Sequence, residues 1–130
     1  MEWAGKYLWV ALGSALGGVA RYWMSLVAVR LVGETFPWGT LVINILGSFV
    51  IGYFGTLTMP DGPRPASMEM RLFVMVGICG GFTTFSSFSL QTLELLRGGE
   101  SLRALAYVAA SVLLCVAGTA LGHFLAGGKI

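Results

Sequence analysis

Apolar positions gather in four long runs, Tyr7–Val29, Trp38–Met59, Leu72–Leu93 and Ala104–Ala126, with polar residues crowded into the gaps between them. A helix needs about 20 predominantly apolar residues, each rising 1.5 Å, to cross a bilayer, and every run is long enough. The pattern predicts an all-α membrane protein: one transmembrane domain over residues 1–130, with helices at about 7–31, 37–59, 71–96 and 102–126. Pro37 and Trp38 mark an interfacial start for the second helix. The stretch "PDGPRPASMEMR" holds three of the four prolines and reads as a loop. Gly98–Gly99 are a helix stop, and Ser101 is the expected N-cap of the last helix. The first run is too long for the apolar core of a cleaved signal, and Arg21 interrupts it, so it reads as a mature helix.

Composition agrees with this picture. Of 130 residues, 56% are hydrophobic and 11% charged, with mean hydropathy +0.81; soluble domains carry about 25% charged residues. The second and third runs contain no Asp, Glu, Lys, Arg or His, the first has only Arg21 and the fourth only His123. Cys79 and Cys115 lie inside spans without metal-ligand spacing and read as small buried hydrophobes. Lys6, Arg64, Arg71 and Lys129 would lie on one side of the membrane, against Arg30, Arg97 and Arg103 on the other. So balanced a distribution gives almost no orientation bias and permits insertion either way up, hence an antiparallel homodimer. Gly13-x-x-x-Gly17 and Gly118-x-x-x-Gly122 are small-residue seams that let helices approach closely in lipid.

The polar groups within the spans carry the chemistry. Thr40, Asn44 and Ser48 are spaced by four and share a helix face. Tyr107, Ser111, Cys115 and Thr119 do the same on the fourth helix. Such strips are either interhelical glue or the lining of a pathway, and two of them favour the pathway. In "GICGGFTTFSSFS", residues 77–89, Gly80 and Gly81 each cost roughly 1 kcal/mol of helix propensity, and two β-branched threonines follow. The third helix is therefore expected to break at mid-membrane, which lipid tolerates only where protein or water satisfies the freed backbone. Carbonyls freed there and converging from two subunits would suit a hard cation; the alternative is that the glycine pair admits a close neighbour. Phe82, Phe85 and Phe88 lie along one slowly rotating face, flanked by five hydroxyls. An anion can meet the positive edge of such rings without meeting a full charge. Arg21 either snorkels to the interface or makes a structural pair, or else makes an electropositive vestibule, and His123 is expected at the interface.

Several functions are excluded. There is no GxSxG, HExxH or GK[ST], so hydrolase, metalloprotease and P-loop readings fail. A small dual-topology multidrug/proton exporter, the main alternative, should carry a glutamate in its first helix, and this one has none. Donors without fixed charge suit an anion better than a proton.

"GGVARYW" at residues 17–23, "PWGTLVINILGSFVIG" at 37–52 and the 77–89 stretch, in that order, resemble the CrcB/Fluc fluoride channels over essentially the whole chain. The resemblance implies a dual-topology antiparallel homodimer in the cell membrane that exports fluoride passively and lowers its toxicity, with no enzyme activity and no nucleic-acid partner. It places Asn44, Phe85, Phe88, Thr40, Tyr107, Ser111, Thr84 and Arg21 along the pore. It also implies a structural sodium ion held by the backbone carbonyls of Gly80 and Thr83 from each subunit. Two positions depart from the family pattern: Cys115 stands where a hydroxyl is common, and Gln91 where a glutamate is expected.

Overall fold

A computed structural model describes residues 2–130, all-helical among those residues; residue 1 of the expected domain lies outside them. The elements are α1 (Glu2–Val32), α2 (Trp38–Leu57), α3 (residues 68–82), α4 (Phe85–Arg97) and α5 (Ser101–Leu125). α1, α2 and α5 each cross the membrane alone, and α3 with α4 forms the third of four spans, Met68–Arg97. α1 starts before the long apolar run does, so Lys6 and Tyr7 lie within a helix rather than ahead of one. Gly33 and Gly99 end the helices before them at φ +78 and +76, conformations that glycine adopts at no steric cost. Ser101 is not the cap of the last helix. Glu100 occupies the cap position without a side-chain bond to the helix's first amides, and Ser101 is the first helical residue.

α3 is not uniform. Met68–Arg71 is α-helical and begins with Ser67, whose hydroxyl accepts from the Met70 amide at 3.2 Å. Leu72–Cys79 then winds as a π-helix, and Gly80–Phe82 returns to α geometry. Such widened turns recur at functional sites.

The two glycine seams close contacts inside the chain rather than with a second copy. A Cβ at Gly13 or Gly17 would strike the α3 backbone at Phe73 and Ile78, and one at Gly118 or Gly122 would meet the α2 backbone at Ile45 and Phe49. In lipid, where burying apolar surface drives little, this backbone proximity is what joins α1 to α3 and α2 to α5. The outer faces of α1 and α5, with Leu16, Val19, Trp23 and Leu113, are exposed, as faces turned to lipid would be.

The ends are tied by polar contacts. At one end, Arg71 donates to the Gly55 carbonyl at 2.9 Å and the Thr58 hydroxyl at 2.6 Å, capping α2 with positive charge. His123 meets Thr56 at 2.7 Å and the Lys129 carbonyl at 3.2 Å, which folds the C-terminal residues over the bundle. At the opposite end, Arg103 reaches Thr35 and pairs with Glu100, both at 3.4 Å.

Candidate functional site

The third span breaks at Thr83–Thr84, both in extended conformation (φ −80, ψ 158 and φ −152, ψ 110). The break falls beyond the glycine pair, which stays helical. Gly81 is there to admit α1, since a Cβ would collide with Ser14, whereas one at Gly80 would make only an ordinary contact, 4.0 Å from the Met75 carbonyl. The close-neighbour reading of the pair therefore holds for Gly81, and the break expected at the glycines falls instead on the β-branched threonines, which take the extended backbone.

Asn44 clamps this break. Its Oδ1 accepts from the Thr84 amide at 2.8 Å, and its Nδ2 donates to the Thr84 carbonyl at 3.1 Å. A side-chain amide thus pairs with both polar groups of one unwound residue, as a neighbouring strand would. Thr84 in turn caps α4, its hydroxyl accepting from the Ser87 amide at 3.1 Å. These diversions have a consequence upstream. The amides of Thr84 and Ser87 are the helical donors for the carbonyls of Gly80 and Thr83, and both are spent elsewhere. The Gly80 and Thr83 carbonyls are therefore left without amide partners beside an open groove.

That groove, about 410 Å³, is lined by Asn44, Ser48, Gly80, Thr83, Thr84, Phe85, Phe88 and Ser111, with Cys79 and Cys115 also on its wall. Phe85 is 78% exposed and Phe88 9%, their ring centroids 5.3 Å apart at 54°. Phe88 continues to Tyr107 at 5.1 Å, and Tyr107 to Phe36 at 5.5 Å edge-on. Ser111 is buried, and among the described residues its hydroxyl is the one buried side-chain polar atom without a partner. Phe82, expected on the same aromatic face, is separated by the break. It packs instead where a Cβ at Gly17 or Gly47 would touch it.

The groove shares lining residues with neighbouring cavities. A mouth of about 510 Å³ lies among Glu34, Thr35, Pro37, Glu94 and Glu100. It shares Ser25, Thr40 and Gln91 with an inner cavity of about 260 Å³ that holds Arg21, Thr84 and Ser87. Thr84 also borders the groove, and Ile51, Met75 and Val116 line both the groove and a space of about 550 Å³ beside Arg71 and His123. Arg21 thus faces hydroxyls and a carboxamide, and among the described residues it has no ion pair.

The structure divides the two polar strips. Asn44 and Ser48 line the groove, while Thr40 lines the mouth and inner cavity. Ser111 and Cys115 line the groove, but Tyr107 is fully buried, and Thr119 donates to the Ser48 and Cys115 carbonyls at 3.0 and 3.1 Å. Sequence reasoning noted Gln91 without giving it a contact. Its Nε2 donates to Thr40 at 2.9 Å and its Oε1 accepts from Tyr107 at 2.7 Å. A signal was present: Asn44 and Gln91 are the sole carboxamides in the sequence, and both lie within spans.

A family model described as CrcB-like protein, Camphor Resistance (CrcB), matches residues 8–123. The chain belongs to the CrcB-like family. Among similar proteins is one from Gluconobacter oxydans, 59% identical over 120 residues, covering 92% of this chain and 83% of its own. Another, from Opitutus terrae, is 55% identical over 122 residues, or 94% and 92% of the two chains. A third, from Methylocella silvestris, is 54% identical over 120 residues, 92% of each chain. Each bears the name fluoride-specific ion channel FluC. In this CrcB-like chain the family match spans the clamp, the break, both phenylalanines and all of α5 as far as His123.

Proposed function

We propose that this chain is a passive fluoride channel that carries cytoplasmic fluoride out across the cell membrane and lowers its toxicity. The observation that carries the reading is the groove beside the broken span, lined by hydroxyls, ring edges and one clamped amide. It occurs in a chain 54–59% identical to relatives named fluoride-specific channels. Hydrogen fluoride is a weak acid that crosses lipid when neutral and dissociates inside to a trapped anion. A negative-inside potential supplies about 2.3 kcal/mol per 100 mV to expel it. Neither ATP nor proton coupling is needed.

The route must strip water from a small anion and still release it. Ser111, with an unpartnered hydroxyl, offers a donor that costs nothing to free. The edges of Phe85 and Phe88 add weak positive potential. Several such groups bind less tightly than one fixed cation, which lets the ion leave again. Arg21 raises the local anion concentration in the inner cavity without sitting in the groove itself.

A second copy completes the reading. The groove is open on one side, and lipid there would leave the Gly80 and Thr83 carbonyls and the Ser111 hydroxyl unsatisfied, at several kcal/mol each. An antiparallel homodimer covers that face with protein and brings two sets of carbonyls together. The donor set fits a structural sodium ion: neutral oxygens, freed of amide partners because Asn44 and Thr84 intercept the donors. Bound there, such an ion would supply positive charge that holds the two breaks together; the chain's own task is to present the Gly80 and Thr83 oxygens.

The test is efflux from proteoliposomes of the purified chain, followed with a fluoride electrode and compared with chloride. Fluoride should leave quickly and chloride slowly. Equal retention of both ions would remove the channel reading.

A further inference from the structure

We infer that the groove holds a site for one soft, thiophilic metal ion of the Ag⁺ or Cu⁺ kind, bound between Cys79 and Cys115, and that filling it blocks the groove. The block rests on the channel reading above; the binding does not. Three sulfurs border this one cavity. Met75 and Cys79 lie about one turn apart in the π-wound stretch of α3, and Cys115 is on α5. No spacing along the sequence reveals the set, because its members come from two spans.

α2 fixes the depth at which the two thiols stand. A Cβ at Gly47 would strike the Thr83 methyl, four residues after Cys79, and the adjacent Ser48 carbonyl accepts from Thr119, four residues after Cys115. α2 is thus the floor of the groove, and α3 and α5 are its walls. Both cysteines are free. The hydrogen bonds they join use their carbonyls, so the sulfur lone pairs are unspent. One turn before Cys115, the buried Ser111 hydroxyl on the same wall has no partner either.

Thiolate and thioether sulfur select soft cations, whereas carbonyl and hydroxyl oxygens suit hard ones. Apolar surroundings disfavour net charge. A monovalent cation therefore binds as one thiol gives its proton to water, and thiolate and cation cancel. The second thiol and the Met75 thioether complete the set through their lone pairs, Met75 adapting through its three rotatable bonds. Because a proton leaves, affinity rises with pH. The bound ion occupies the groove beside Ser111, where the anion would pass.

The probe is silver nitrate in chloride-free solution. Equilibrium dialysis of the purified chain in detergent should find one tightly held Ag⁺ per chain. Cys79→Ala or Cys115→Ala should each weaken it about a hundredfold or more, and Met75→Leu about tenfold. In planar bilayers carrying sodium fluoride, micromolar Ag⁺ should cut the wild-type current about tenfold or more, and dithiothreitol should restore it. Each cysteine variant, compared with its own silver-free current, should resist the same dose.

Two ions per chain, or tight binding that survives loss of either thiol, would overturn the shared site. Full current with Ag⁺ bound would overturn the block. A wild type that binds one Ag⁺ through both thiols yet carries no fluoride current would instead remove the channel reading and leave the metal site standing.

Discussion

Replacing Asn44 separates its two roles, clamping the break and bordering the groove. Asn44→Leu fills a similar volume but makes neither bond to Thr84. Polar contacts between helices in a membrane average about 0.6 kcal/mol and reach about 1.7. Stranding a buried partner costs about 1–3 kcal/mol. Both Thr84 groups lie outside a helix and would be stranded together, so the expected loss is about 2–4 kcal/mol, the sum of two such terms at the lower end of that range. Asn44→Asp keeps the bond from the Thr84 amide and loses only the one to its carbonyl, so about half of that is expected. Its carboxylate, however, borders the groove and repels the permeant ion. Thermal unfolding in detergent and fluoride efflux, measured on both variants, give two orderings. Stability should fall further in Asn44→Leu, whereas flux should fall at least as far in Asn44→Asp. The reasoning fails if Asn44→Leu unfolds at the wild-type temperature, or if Asn44→Asp conducts like wild type.

Other substitutions probe single features. Phe85→Ile removes a ring that is mostly exposed, so folding should survive by size-exclusion chromatography while fluoride efflux drops; unchanged efflux would take that ring off the route. Gly17→Leu would drive a side chain into the α3 backbone at Ile78 and Phe82. Overpacking costs about 1–3 kcal/mol or more, so the detergent-solubilised protein should lose thermal stability, and a wild-type melting curve would contradict the seam. Replacing sodium by a large organic cation should lower the protein's unfolding temperature, whereas replacing chloride by another anion should not. Indifference to sodium would argue against an ion on the Gly80 and Thr83 carbonyls.

The spans were legible because hydropathy is a property of long windows, and lipid leaves no alternative to helices for such windows. The break was legible as an event but not as a position. Propensity pointed to Gly80–Gly81, yet packing against Ser14 keeps Gly81 helical and Asn44 draws out Thr84 instead. The fourfold spacing of Tyr107, Ser111, Cys115 and Thr119 placed them on one face. It could not say that Tyr107 is sealed under Phe36 and Phe88 while Ser111 stays open to the groove. Periodicity also misassigned Phe82, because it assumes one helix where there are two. The Thr40–Gln91–Tyr107 chain spans three helices, and no single-helix pattern encodes it.

One recording bears on all of this most directly. In a planar bilayer with a fluoride gradient, equal chloride on both sides and a pH step imposed across the membrane, the current should reverse at the potential set by fluoride alone. That potential should not move with the pH step, because no proton is exchanged for the anion. A reversal potential that follows chloride, or one that shifts with the proton gradient, would contradict passive conduction through this groove.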